Sequence, residues 1–189
     1  LGNTGTLVSS GIRYFDPELV SRMMDSLDVN CTGLLEITGS SQSLNSQKGA
    51  FDTHIYAITS DFFKFHGNDS ITINPGEAAI NIRLADYLEL KPGDNLIIRF
   101  KDISDIPADA PFALSAKDGM SVVLKIGKII GTENTGNFSL SISQIIPMNI
   151  FMNLSDLKNG SAKPLKMNRL LIDNKLDVSS EYVTNTLKN

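Results

Sequence analysis

Apolar and polar positions change their period along this chain, most clearly between Gly76 and Phe100, GEAAINIRLADYLELKPGDNLIIRF. Ala78, Ala79, Ile80 and Ile82 form a short apolar run of the kind a buried strand needs. Leu84, Ala85, Leu88 and Leu90 then fall near helical spacing. Lys91-Pro92-Gly93-Asp94 stops that helix. Pro92 has no N–H to donate and Gly93 supplies a free φ, so a tight turn follows. Leu96, Ile97, Ile98 and Phe100 make the next strand. The pattern predicts a strand, a short helix, a turn and a strand in that order.

The rest of the chain reads in the same way. Thr6 to Phe15 predicts a strand, and Asp16-Pro17-Glu18 starts a helix. Asp16 can accept from free N–H groups, Pro17 suits the first helical position, and Glu18 complements the positive end. Leu19, Val20, Met23, Met24 and Leu27 give that helix an apolar face, with the methionines as core filler. Thr32 to Gly39 predicts a strand, and Ser40 to Gly49, rich in Ser, Asn, Gln and Gly, a polar mobile loop. Phe51 to Thr59 alternates as a half-buried strand does. Ser60 to Phe63 predicts a capped short turn anchored by Phe62, Phe63 and Phe65, and Ile71 and Ile73 a further short strand. Lys101 to Gly119 is polar and broken by Pro107 and Pro111. Strands are expected at Ser121–Ile130, Phe138–Ile146, Asn149–Asn153 and Lys166–Ile172. Ser155 is expected to cap a brief helix over Leu157, and Ser179 or Ser180 a last helix carrying Val183 and Leu187. Strands dominate over a few short helices, which is an α+β pattern.

Composition narrows the function. At 189 residues and 41% hydrophobic, the chain can hold one or two small domains with a real core. The net charge is −4 and the basic residues are dispersed, so the electrostatic footprint of nucleic-acid binding is missing. The lone cysteine, Cys31, rules out an internal disulfide; it reads as a small buried hydrophobe, with a catalytic thiol or an intermolecular bridge as the other readings. No apolar run approaches the ~18 residues that span a bilayer. Leu1 reads as a cut end and Asn189 as a stop within a helical pattern, as in an excised soluble piece.

Catalytic chemistry finds little to stand on. A hydrolase needs a nucleophile, a base and an orienting group. The two histidines, His54 on a strand and His66 beside Gly67, lie in no nucleophile motif, and no G-x-S-x-G elbow occurs. Asp102, Asp105 and Asp109 share one loop and could hold a hard cation, but their spacing is not that of an EF-hand and Pro107 interrupts it; solvated carboxylates are the simpler reading. No Cys/His set has zinc spacing and no P-loop is present. Asn30, Asn68, Asn137 and Asn153 open N-x-[ST] sequons, read here as surface polarity. Phe62, Phe63, Phe65, Phe112 and Phe138 cluster near loops. They either plug small cores or line a groove for a lipid, peptide or partner subunit. The expectation is a non-enzyme with no catalytic, cofactor-binding or metal-binding residues and no cofactor.

Several segments in colinear order resemble a known family, the extracytoplasmic core domain of MacB/FtsX-like ABC transporter permeases. LGNTGTLVSSGIRYFDPELVSRM resembles the family's segment after the first transmembrane helix. GEAAINIRLADYLELKPGD resembles its Glu–aliphatic–Asn–x–x–Leu–Ala…Leu–x–x–Gly-Asp unit. IPADAPFAL, then NFSLSISQIIPMNIFMNLSDL, resembles a later strand and helix start, and KMNRLLID the strand leading into the last βα unit. The resemblance implies a porter-like βαβ subdomain built from both chain ends, 1–58 and 163–189, and an inserted strand-rich subdomain, 59–162. It implies that the last strand of the second βα unit is missing, leaving a sheet edge open to dimerisation or aggregation. It places the domain on the periplasmic, extracytoplasmic face of a bacterial inner membrane. Its partners would be transmembrane helices of the same polypeptide, a cytoplasmic ABC ATPase, and a periplasmic partner or lipoprotein, with no nucleic acid. The domain would couple ATP-driven motion to export, lipoprotein handling or partner activation. The rival readings are a free-standing secreted module that binds peptide or glycan, and a small β-barrel enzyme using the Pro-Gly-Asp turn.

Overall fold

Asn81 starts the local logic of the fold. Its side-chain oxygen accepts from the Leu84 N–H at 3.1 Å, ending one strand and opening a helix. That step lies within eight strands and three α-helices of a computed structural model that describes residues 4–9, 14–27, 29–101, 119–140, 145–158 and 165–173. In order they are β1 (Thr4–Ser9), α1 (Pro17–Leu27), β2 (Cys31–Ser43), β3 (Gly49–Ile58), α2 (Phe62–Phe65) and β4 (Glu77–Asn81). There follow α3 (Ile82–Leu88), β5 (Asn95–Lys101), β6 (Gly119–Ile130), β7 (Asn149–Asn153) and β8 (Arg169–Asp173).

The sheet order is β1-β8-β2-β3-β7-β4-β6-β5, and β5 pairs back onto β2. β2, β3, β7, β4, β6 and β5 therefore close into a ring, while β8 and β1 extend from it. β3–β7 and β4–β6 are parallel and the other pairs antiparallel. β2 makes this possible by its length. Cys31 to Leu34 pair with β8, and Gly39 to Ser43 pair with β5 along the same edge, while β3 covers the other edge. At Gly39 both neighbours close in, with Thr53 on one side and Phe100 on the other. A Cβ at this position would collide with the Arg99 carbonyl and the Ile55 side chain, so glycine is required by space.

Alternation along the strands feeds two cores. Leu35, Ile55, Ala57, Ile80, Leu96, Ile98, Leu124, Ile150 and Met152 face the first, with Leu84 and Leu88 of α3 and Val20 and Met23 of α1 packed into it. Leu34, Tyr56, Ile58, Ala79, Phe151 and Leu171 face the second, which α2 covers with Phe62, Phe63 and Phe65. Consecutive residues of β3, Ile55 and Tyr56, thus lie in different cores, as the period of two demands. β6 carries one extra residue between Ile126 and Lys128, which pair with adjacent Ala78 and Ala79, and this bulge brings Ile130 to the second core.

The α+β pattern expected from the sequence holds in its coarse form: a mixed, sheet-rich fold with few helices. The order strand, short helix, turn, strand between Gly76 and Phe100 folds as read, but Ile82, expected in the buried strand, is exposed and opens α3 because Asn81 caps the helix directly before it. Gly93 stands at φ +98° in the turn, and the Lys91 N–H bonds to Asp94 Oδ2 at 2.8 Å. Helix α3 ends earlier than the turn, at Glu89, which takes a left-handed φ of +57° without being glycine. Asp16 starts α1 as expected, accepting from the Glu18 N–H at 3.0 Å, although Met24 faces solvent.

Several expectations need correction. Ser40 to Ser43 are strand, not loop, because β3 and β5 supply backbone partners on both sides and Ser41 and Ser43 turn inward. Ile71 and Ile73 form no strand; Ile71 is buried against the second core from an irregular segment. The described parts of Phe138–Ile146 are not strand either. Here the Asn149 side chain donates to the Gly136 and Phe138 carbonyls and holds the chain in a loop. The 3-10 turn at Leu154–Lys158 is capped by Asn153, which accepts from both the N–H and the hydroxyl of Ser155. The segment with Asp102, Asp105, Asp109 and Phe112, and the last helix expected at Ser179 or Ser180, lie outside the described residues.

Candidate functional site

Among the described residues, a dense polar cluster lies where β8 joins β2. Arg169 Nε and Nη2 each meet Glu36 Oε2 at 2.8 Å, and Nη1 donates to the Ser9 hydroxyl at 2.7 Å. Asn168 completes the joint. Its Nδ2 donates to the Glu36 carbonyl and its Oδ1 accepts the Glu36 N–H, as a strand backbone would. Both charged side chains are mostly buried, so the pair is screened less than a surface one. Three strands, β1, β2 and β8, are fastened through a single guanidinium. Such a fork of donors suits rigid positioning.

Tyr56 lies opposite Glu36 across the β2–β3 ladder. It is fully buried and its hydroxyl has no hydrogen-bond partner among the described residues. Burial pushes its phenol well above the ordinary range, and Glu36 adds to the rise. Tyr14 is raised for the same first reason, with Arg169 opposing. Both phenols are thereby held in the neutral form near neutral pH.

Beside this joint the second core is aromatic. Tyr56 stacks on Phe151 at 5.3 Å between centroids and meets Phe138 edge-on at 5.1 Å. Phe62 lies edge-on to Phe63 and Phe138. His66 is enclosed by the rings of Phe62, Phe65 and Phe138 at 4.8, 5.1 and 5.3 Å. Both of its ring nitrogens are buried without a partner among the described residues, and burial lowers its pKa to about 4. Phe62, Phe63, Phe65 and Phe138 are all buried, so of the two sequence readings they follow core filling rather than groove lining.

The remaining candidates are dispersed. His54 is half-buried and stacks loosely on Tyr56 at 6.3 Å. Cys31 is buried with its thiol on the Val20 carbonyl, and burial, then Asp61, pushes its pKa up to about 11. Among the described residues no three His, Cys, Asp or Glu side chains gather as a metal site would require, and no helix is long and apolar enough to cross a membrane. A cavity of about 10 Å³, lined by Ile58, Thr59, Phe63, Ile71 and Asn153 among others, has room for about one water. The sequence reading missed the Glu36–Arg169–Asn168 joint. Its signal was a lone charge beside the apolar run of each of two strands, Glu36 in TGLLEITG and Arg169 in MNRLLI.

Comparison with known proteins places this geometry. No protein-family model matches the chain, and no curated protein matches it in sequence. Among solved structures, the periplasmic region of MacB from Actinobacillus actinomycetemcomitans matches with a TM-score of 0.57 at 10% identity, covering 98% of this chain and 80% of that one. The extracellular domain of the noncanonic ABC-type transporter YknZ from Gram-positive bacteria aligns with a TM-score of 0.49 at 8% identity, over 92% and 78% of the two chains. The fold of this chain is similar to that of the MacB periplasmic region across nearly its whole length.

Proposed function

We propose that this chain is a non-enzymatic extracytoplasmic domain of an ABC transporter permease, at the outer face of a bacterial inner membrane. The observation that carries the reading is the fold likeness to a periplasmic region over 98% of the chain. The colinear sequence resemblance points the same way. In this reading the domain divides into a porter-like part, 1–58 with 163–189, and an inserted part, 59–162. Transmembrane helices of the same polypeptide flank it, and a cytoplasmic ATPase drives them. A periplasmic partner or lipoprotein receives the motion.

The fold suits such work because motion reaches it through packed strands. Thr4 pairs with Asp173, so segments entering β1 and leaving β8 meet on one antiparallel pair. The Arg169–Glu36–Ser9 joint ties that pair to β2 and so to the ring. A rigid-body stroke needs stiffness at such a junction more than it needs reactive groups.

The test is the full-length gene and its product. Hydrophobic spans on both sides of the chain, a neighbouring P-loop ATPase gene, and loss of coupled export when the domain is deleted from the reconstituted complex are expected. A full-length protein with no membrane span on either side overturns the reading.

A further inference from the structure

Three of the exposed large apolar side chains lie on one wall of the strand ring. Phe51 on β3 is 82% exposed, Val123 on β6 56%, and Leu44, just past β2, 45%. The ladder registers place them. Val123 pairs with Ile97, and Ile97 with Gln42. The Leu44 N–H bonds to the carbonyl of Asn95, two residues before Ile97, so Leu44, Ile97 and Val123 form an apolar stripe across three strands. In the next outward row, Phe51 stands at the β3 irregularity opposite Ser40, and Ser40 pairs with Arg99.

Cations flank the stripe on both sides. Lys125 pairs with Asn95 on one flank, and Arg99 and Lys101 extend β5 on the other. All three are exposed. Arg99 gives one N–H to Gln42 Oε1 at 3.1 Å and keeps further donors toward solvent. Among the described residues the carboxylates nearest this wall are Asp52, next to Phe51, Asp94, which bonds Asn45 at the foot of β5, and Glu77, opposite Lys125 on β4, which bonds Asn74. In a chain of net charge −4, the described outward positions of β5 and β6 thus carry three cations and no carboxylate beside the apolar stripe.

We propose that the outer wall of β3–β2–β5–β6 docks a short protein segment that carries apolar side chains between carboxylates. Charge complementarity sets the sign of the partner: carboxylates opposite Arg99, Lys101 and Lys125, apolar side chains over Leu44, Ile97 and Val123. Area sets its size. Three strand spacings by about six residues cover roughly 300 Å², well below the ~800 Å² per partner of a stable interface between folded proteins. A second copy of this chain is therefore too large an occupant, and a linear segment fits. Asp52 argues against a uniformly anionic lipid surface, which would press phosphates on it. A discrete segment leaves it uncovered.

The test is an amide-resolved NMR titration of the 189-residue chain. The probes are a synthetic peptide with Asp and Glu flanking Leu, Phe and Val, the same peptide with Lys for every acid, and phosphatidylcholine–phosphatidylglycerol vesicles. The acidic peptide is expected to shift signals of residues 40–44, 95–101 and 121–125 and to bind about tenfold tighter than the basic one. Arg99→Gln with Lys125→Gln is expected to remove most of that difference and its salt dependence. Val123→Ser is expected to weaken both peptides and leave the salt dependence in place. These side chains face solvent, so an unchanged spectrum of each free variant establishes that it is folded. Equal binding of the two peptides, shifts that map elsewhere, or tighter binding of vesicles than of the acidic peptide each overturn the proposal.

Discussion

Asn81 accepts the backbone N–H of Asn149 at 3.2 Å through the same side-chain oxygen that caps α3. Its amide group donates to the Pro147 carbonyl at 2.7 Å. Asn149 in turn holds the carbonyls of Gly136 and Phe138. Two buried asparagines thereby fix a helix start, a strand start and a loop that presses Phe138 into the aromatic core.

Asn81→Ala removes an acceptor from two buried N–H groups and a donor from one carbonyl. Loss of a cap and of buried partners predicts a cost of about 2–3 kcal/mol. Urea unfolding followed by circular dichroism measures it. Asn81→Asp keeps the acceptor but loses the amide donor and buries a charge, so it is expected to be no better than Ala.

Arg169→Met leaves Glu36 mostly buried without its cation. Because both side chains keep some solvent contact, the expected cost is about 1–2 kcal/mol rather than that of a fully buried pair. Adding Glu36→Gln is expected to recover part of it. A double-mutant cycle in urea that shows no coupling between the two positions would contradict the joint described above.

His66 makes stability depend on acid. Its folded pKa is about 4, below the ordinary 6.5, because burial disfavours the charged ring. Between those values the unfolded chain binds more protons than the folded one, so stability is complete above pH 6.5 and falls as pH drops toward 4. The full loss is about 3 kcal/mol. His66→Leu is expected to flatten this part of the profile, measured by thermal melts between these pH limits.

Cys31 is expected to resist alkylation in the native state. Burial and a pKa of about 11 leave its thiolate scarce. Labelling by iodoacetamide at mildly alkaline pH is expected to be at least ~100-fold slower than in urea. Equal rates would show that the α1–β2 contact is open in solution.

Much of this fold could be read where local signals agree. The strand, helix and turn from Glu77 to Asp94 carry their own instructions, and Asp16 marks α1 as clearly. The sequence misled where tertiary partners override composition. Ser41 and Ser43 look like loop, yet β5 lies beside them from more than fifty positions away and completes their backbone bonding. Phe138 looks like a strand start, yet Asn149 captures its carbonyl. The Glu36–Arg169 pair joins residues 133 positions apart, and no window along the chain contains both. The stripe of Leu44, Ile97 and Val123 is equally non-local, because only the ladder registers set Leu44 diagonal to the Ile97–Val123 pair.

The length of β2 has a mechanical meaning. Tension applied along β1 and β8 runs parallel to the strand that also forms the ring. The ladder bonds from Cys31 to Leu34 and from Gly39 to Ser43 are then loaded together in shear, rather than peeled one after another. A strand held in this way acts as an axle: it carries force into the ring without letting the ring unroll.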